Sequence, residues 1–266
     1  MKNWHYYWVL NSGGYAEMKL KSVMNFRDVG GIPSVGNGII REGLIYRSAT
    51  VDNIKKEDIS RLRELGIRTI IDLRAPKEAK KSKRKADGAV SVVLPLDFQQ
   101  TTRDRLKPHL YKKDSEAILA DISNQLYLDI LDAAAPVFRK IMELLVSGDG
   151  APVLIHCQAG KDRTGIIVAL ILLALGADPK LIIEDFLKSN DELIPYFKKM
   201  LLIRKILTLG YFPSKRMLNV ITVKQRNINS VIERVENHYG GIEGYLTSSG
   251  FDISKLKAFR EQFCIY

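Results

Sequence analysis

Ten residues near the middle of the chain, His156-Cys157-Gln158-Ala159-Gly160-Lys161-Asp162-Arg163-Thr164-Gly165, have types and spacing that can do chemistry. Five residues separate a cysteine from an arginine, and the segment leads from an apolar stretch, APVLIHC, into a helical one, Gly165 to Leu175. A loop leaving a strand and entering a helix can turn successive backbone N–H groups inward as an anion nest, and the helix dipole adds partial positive charge. A cradle made of Gln158, Ala159, Gly160, Lys161, Asp162, Arg163 and Thr164 therefore suits a phosphate. The same field favours a sulfur anion over a thiol, which makes Cys157 a candidate nucleophile and not merely a buried structural thiol. Arg163 brings a planar fork that can hold two phosphate oxygens while the phosphorus becomes trigonal bipyramidal. Thr164 offers a hydroxyl toward the sulfur. His156 is suited to orienting the loop by hydrogen bonding, because an ionised sulfur needs no base.

Such a loop has to be held by strands and helices, and their signals precede and follow it. Asn25 to Gly31 reads as a short strand ending in a Gly-Gly turn, and Asn37-Gly38 signals a hairpin before IIREGLIYRSA, so the domain is expected to open with a β-hairpin. Lys55 to Leu65 carries an i, i+3 apolar stripe that stops at Gly66, and the strand IRTIIDLR follows. A basic stretch, Lys77 to Lys85, precedes a second strand, AVSVVLPLD. Residues 99 to 123 are polar and expected to be irregular, and 99 to 135 is the expected lid insertion; helical spacing returns over 124 to 146. From Asp178 onward nearly everything reads as helix. Strands alternating with helices predict an α/β fold: a central, mainly parallel sheet of four or five strands flanked by helices, with a helical C-terminal layer. In such sheets ligand sites lie at the carboxyl ends of strands, which is where the loop after Cys157 falls.

Composition narrows the function classes. The chain has 266 residues, 46% of them hydrophobic, which excludes a disordered or fibrous protein. No repeat or linker divides it, so residues 1 to 22 read as an extension and 23 to 266 as one domain. Its formal charge of +11 favours phosphorylated or anionic partners. Two cysteines cannot form a disulfide framework, and four scattered histidines form no metal-ligand cluster. The aromatic start is too brief for a secretion signal, and Ile166 to Leu175 is too short to cross a bilayer. The cytoplasm is the default location, without excluding delivery outside the producing cell.

HCQAGKDRTG resembles the Cys-x5-Arg signature of the protein tyrosine phosphatase superfamily, and its GKDR form resembles the bacterial lipoprotein-A and mycobacterial type-B phosphatases. The similarity extends to Asn25-Phe26-Arg27-Asp28 with Gly30-Gly31, to IYRSA, to IDLR and to YGGIEGYL, in order along residues 24 to 263. The resemblance implies phosphotyrosine hydrolysis in two steps through a cysteinyl-phosphate, without metal or other cofactor, and possible action on phosphoserine or phosphothreonine. Two aspartates compete for the general acid. Asp97 follows VVLPLD on a loop like the acid loop of dual-specificity phosphatases, whereas Asp162 belongs to the GKDR form and sits beside the bound phosphate, where a like charge would keep its proton available. Asn25, Arg27 and Asp28 are supporting candidates, the last two as an ion pair behind the loop.

The implied partners are phosphorylated proteins or peptides. Lys161 adds a second cation, as in phosphoinositide phosphatases of the superfamily, so phosphoinositides at an anionic membrane surface are the alternative substrates, with the run Lys77 to Lys85 as a site for that surface. No nucleic acid is expected. A reversible disulfide between Cys264 and Cys157 would protect the nucleophile if the two ends meet. The rival of another class is a non-catalytic phosphate-binding module; a sulfurtransferase is the weaker enzyme alternative.

Overall fold

Strand β3 (Ile45–Ser48), strand β4 (Thr69–Asp72) and strand β6 (Val153–His156) form the middle of the sheet, and their side chains alternate between two cores. Ile45, Ile71, Val153 and Ile155 enter the larger core. Tyr46, Ile70 and Leu154 point the other way, onto Leu62 of helix α1 (Lys56–Glu64) and onto Phe26, whose ring stacks on Tyr46 with centroids 5.5 Å apart. Burial on both faces explains why these strands read as continuous apolar runs. This computed structural model describes residues 20–79, 88–97, 99–113 and 115–266. Residues 1–19 of the expected extension and the part of the basic run beyond residue 79 lie outside the described residues.

The sheet has the order β1-β3-β6-β4-β5, with strand β1 (Arg27–Asp28) antiparallel to β3 and strand β5 (Val90–Val93) parallel to β4. Ser48, His156 and Asp72 lie side by side at the carboxyl end. After β4 comes the short helix α2 (Pro76–Ala79), and after β5 come helix α3 (Gln99–Leu110) and helix α4 (Glu116–Val146). Helix α5 (Arg163–Ala174), the helix that follows the loop, is buried along its whole length, which fits a sequence with no polar residue after Thr164. Helices α6 (Pro179–Leu207), α7 (Ser214–Ile221), α8 (Gln225–Tyr239), α9 (Ile242–Ser248) and α10 (Leu256–Phe263) complete the helical layer. Asp178 caps α6, accepting from Lys180 N at 2.8 Å with Pro179 in the first turn. No helix among the described residues is long and apolar enough to cross a membrane.

Two expectations need correcting. The chain does reverse at Asn37-Gly38, with Pro33 bridged to Ile39, but strand β2 (Ile39–Ile40) then pairs antiparallel with strand β7 (Cys264–Ile265), while β1 pairs with β3. The opening is therefore shared between two sheets, and one of its partners comes from the far end of the chain. Residues 99 to 123, expected to be irregular, are helical on both sides of a turn. Their apolar residues are sparse, but Leu106 and Leu110 of α3 and Leu119 and Leu126 of α4 form a separate cluster with Met217 and Val220 of α7. Tertiary packing supplies the burial that the local pattern does not announce.

Candidate active site

Cys157 follows β6, buried at 2% exposure, and the loop to Asp162 passes into α5 with Gly165 N donating to Lys161 O at 3.0 Å and Ile166 N to Asp162 O at 2.9 Å. The loop is gripped through its carbonyls. Thr50 N donates to Gln158 O at 3.2 Å, Asn25 Nδ2 to Ala159 O at 3.2 Å and to Gly160 O at 2.8 Å, and Arg47 Nη2 to Gly160 O at 2.9 Å. In a trans peptide the N–H points opposite to the C=O, so these bonds turn the N–H groups of Ala159, Gly160 and Lys161 away from the supporting strands, as an anion nest requires. Gly160 has φ +68°, and a Cβ there would lie 2.3 Å from Ser48 O and 2.6 Å from Ala49 N. No other residue fits both the angle and the gap.

Behind the loop sits a buried ionic cluster. Asp185 of α6 accepts from Arg27 Nε at 2.6 Å and pairs with Arg47 Nη1 at 2.5 Å, and Arg27 also donates to Asn25 Oδ1 and to Ser189 Oγ at 3.3 Å. Burial by itself would raise the pKa of Asp185, but the guanidiniums of Arg47 and Arg27 overcome it and hold the carboxyl at about 2. Burial, with Arg27 nearby, brings Arg47 down to about 10. Asn25 is held at φ 58°, a left-handed conformation that Asn tolerates and that aims its amide at the loop.

Arg163 of α5 is gripped end-on by Glu78 of α2, Nη1 to Oε2 at 2.6 Å and Nη2 to Oε1 at 2.8 Å. Burial opposes its charge, yet the Glu78 bonds raise its pKa above the usual arginine value. Nearby, Arg74 holds Asp52 at 2.5 Å and Asp72 at 2.7 Å and donates to Thr50 Oγ1 at 2.9 Å, which fixes the residue that holds Gln158. Nδ1 of His156 lies 3.3 Å from Cys157 O, and burial, only partly offset by Asp72, lowers its pKa.

Asp162 Oδ1 accepts both from Tyr127 of α4 and from Lys161 Nζ, the latter at 2.7 Å. Burial and the charges of Asp162 and Cys157 hold the Tyr127 pKa well above the usual phenol value, so its hydroxyl stays a donor. Asp97 is exposed after β5. Thr164 Oγ1 is buried and makes no hydrogen bond, so the expected contact with the sulfur is not made. Arg27 and Asp28 do not pair with each other. Neighbours on a strand face opposite sides, and Asp28 instead accepts from Gly30 N at 2.7 Å and Gly43 N at 2.5 Å, with burial raising its pKa to about 6. Cys264 lies on β7 with Sγ 3.5 Å from Ser34 Oγ, and both cysteines are free.

Asn25 and Arg27, named from the sequence, lie beside the loop, together with Arg47, Asp185, Glu78 and Tyr127, which sequence reasoning did not name. Two of these left signals. Arg47 stands inside the apolar run IYRSA, and Asp185 falls on the stripe Ile182, Asp185, Phe186, Ser189 at i, i+3, i+4, i+7, which is the buried face of α6. A charge on a buried stripe has to be paired. Glu78 and Tyr127 had no such mark, since one is an acid in a basic stretch and the other an aromatic on a core-facing helix.

A family model described as the tyrosine phosphatase family matches residues 18–265. A triple specificity protein phosphatase, PtpB of Mycobacterium tuberculosis, is 27% identical over 280 residues, covering 92% of this chain and 98% of its own. A putative tyrosine-protein phosphatase of Cupriavidus necator is 27% identical over 247 residues, covering 92% and 88%. The crystal structure of P. aeruginosa TpbA aligns over 59% of this chain and 77% of its own with 18% identity and a TM-score of 0.30.

Proposed function

The chain belongs to the tyrosine phosphatase family and is a protein-tyrosine phosphatase, and from that premise we propose that it hydrolyses phosphotyrosine monoesters, with phosphoserine and phosphothreonine as further substrates, through a cysteinyl-phosphate on Cys157. Residues 23 to 266 act as one phosphatase domain. The observation that carries this reading is the loop itself: carbonyls 158, 159 and 160 are held from behind by Thr50, Asn25 and Arg47. Their peptide N–H groups then face the side where Cys157 Sγ and Arg163 are to meet the phosphoryl oxygens.

In the first step Cys157 Sγ attacks phosphorus in line, the S–P bond forms and the P–O bond to the leaving group breaks. The leaving oxygen takes a proton from an aspartic acid. Water then attacks phosphorus, giving its proton to the same carboxylate, and the S–P bond breaks to release inorganic phosphate. We assign the acid to Asp162. It begins α5 within the loop, and the bonds from Tyr127 and Lys161 both fall on Oδ1, which makes Oδ2 the oxygen to carry the proton. Gln158 to Thr164 form the phosphate cradle, with Arg163 oriented by Glu78. His156, Asn25 and Arg27 position the loop.

Lys161, a second cation in the loop, supports phosphoinositides as alternative substrates. Hydrolysis of para-nitrophenyl phosphate and of phosphotyrosine peptides by wild type, with loss in Cys157→Ser, is the expected result. Equal hydrolysis by both proteins would refute the cysteinyl mechanism. Binding of phosphate without turnover in either would make the chain a phosphate-binding module.

A further inference from the structure

Helix α6 starts as part of the site's support and ends in the open. Asp185 and Ser189 near its start face Arg27 and Arg47, whereas beyond Leu201 its side chains are exposed on all sides. Two clasps bound the exposed part. Asn190 holds Val223 by both backbone groups, at 2.9 Å and 3.1 Å, and Ser214 Oγ donates to Leu201 O at 3.2 Å. The tip between Leu201 and Ser214 is strongly apolar: Leu202, Ile203, Ile206 and Leu207 are 58%, 51%, 65% and 78% exposed, and Leu209 and Tyr211 are 88% and 86% exposed. Seventeen large apolar side chains are exposed among the described residues, and eight of them fall between Tyr196 and Tyr211, so this is a patch and not scatter.

The charge of the same segment indicates what covers it. From Pro195 to Lys224 there are seven Lys or Arg and no Asp or Glu, which supplies seven of the chain's eleven net positive charges. Arg204 lies with its guanidinium 4.8 Å over the ring of buried Phe212, and its neighbour Lys205 is exposed. A second copy of the tip would bring two sets of like charges together. An anionic surface with an apolar interior complements both features at once.

We propose that the α6–α7 tip is an interfacial anchor that inserts into the headgroup and acyl boundary of an anionic phospholipid bilayer. Its leucines, isoleucines and tyrosine enter the boundary while the lysines and arginines reach back to the lipid phosphates. The anchor lies on the membrane and does not span it, since no helix among the described residues is long and apolar enough to cross. Because α6 also carries Asp185 and Ser189, docking would hold the phosphate loop at a fixed attitude to the lipid surface.

The test is co-sedimentation of the full chain with vesicles of phosphatidylcholine alone and of phosphatidylcholine mixed with phosphatidylserine. Neither lipid has a phosphomonoester, so the result is independent of the proposed catalysis. Wild type is expected to pellet with the mixed vesicles, less so as salt is added, and to stay in solution with phosphatidylcholine alone. Ile206→Asp/Leu207→Asp/Leu209→Asp should weaken binding at least about tenfold with para-nitrophenyl phosphate turnover unchanged. Lys198→Gln/Lys199→Gln should weaken it by about fivefold per cation removed. Absence of wild-type binding to mixed vesicles overturns the proposal. So does undiminished binding by the triple variant, which would move the contact to another basic region such as Lys77 to Lys85. A wild-type dimer that the triple variant dissociates, without vesicle binding, would give the tip to a second copy.

Discussion

The phenolic hydroxyl of Tyr127 donates to Asp162 Oδ1, the same oxygen that receives Lys161 Nζ at 2.7 Å. A carboxylate inside the loop after β6 is thus pinned by a buried side chain of α4 that lies 35 residues earlier in the chain. If Asp162 is the acid, Tyr127→Phe lets the carboxyl rotate and lowers kcat on phosphotyrosine peptides by about tenfold with little change in KM. The loss should shrink for esters whose leaving phenol is strongly acidic and needs no proton, and Asp162→Asn should show the same ordering more steeply. A uniform loss across leaving groups would make Tyr127 a packing residue only, and a steeper dependence in Asp97→Asn would transfer the acid to Asp97.

Glu78 and Arg163 are both largely buried, their side chains 14% and 4% exposed. Glu78→Ala removes the carboxylate from a buried guanidinium, which is expected to destabilise the fold by about 3 kcal/mol. Inorganic phosphate should then raise the melting temperature more in the variant than in wild type, because the anion restores a negative partner. Equal phosphate shifts in the two proteins would mean that Glu78 does not set the charge balance at Arg163.

Asp185 sits between Arg27 and Arg47 with its pKa lowered to about 2. Its folded pKa is below the ordinary value of 3.8, so its contribution is fully present above about pH 4 and is lost as pH falls toward 2. The size is about 2 kcal/mol. Denaturant unfolding of wild type between about pH 4 and about pH 2, the window set by the two pKa values, should show this loss, and Asp185→Asn, less stable at neutral pH, should show less of it. Parallel pH curves for the two proteins would exclude Asp185 as a source of acid lability.

Gly160→Ala places a Cβ 2.3 Å from Ser48 O at a backbone φ of +68°. The loop must shift or the sheet end must give, at a cost of at least about 2 kcal/mol. Displacement of the Ala159 and Gly160 carbonyls from Asn25 and Arg47 would turn the N–H groups out of line. A loss of about a hundredfold in kcat/KM is expected, the equivalent of one or two misplaced donors. Activity near wild type would show that the close approach at Ser48 is not what shapes the cradle.

Much of this site was legible because it is local. Residues 156 to 165 hold Cys157, Arg163 and the helix start in one segment, and the strand and helix around them have clear apolar signatures. The supports were legible in part. Asn25 and Arg27 stand out by their motif, but adjacency in sequence suggests a pairing of Arg27 with Asp28 that the strand forbids, because neighbouring strand residues face apart. Arg47 and Asp185 were visible only as charges on buried stripes, without a partner to name. The helix of the α3 region is not legible locally, because its few leucines are buried against α4 and α7, segments up to about a hundred residues away in sequence.

The sequence by itself determined the residues of the loop, the alternation of strands and helices that carries it, and the family to which the chain belongs. Backbone direction and hydrophobic period are properties of neighbouring residues, so a single chain records them. Only the tertiary structure decided which carboxylate meets which donor: Glu78 meets Arg163, Asp185 meets Arg27 and Arg47, and Asp162 meets the hydroxyl of Tyr127. Ion pairs and hydrogen bonds between distant elements depend on where packing brings their ends. A charge has no periodicity that announces its partner, and burial makes the pairing obligatory without saying who the partner is.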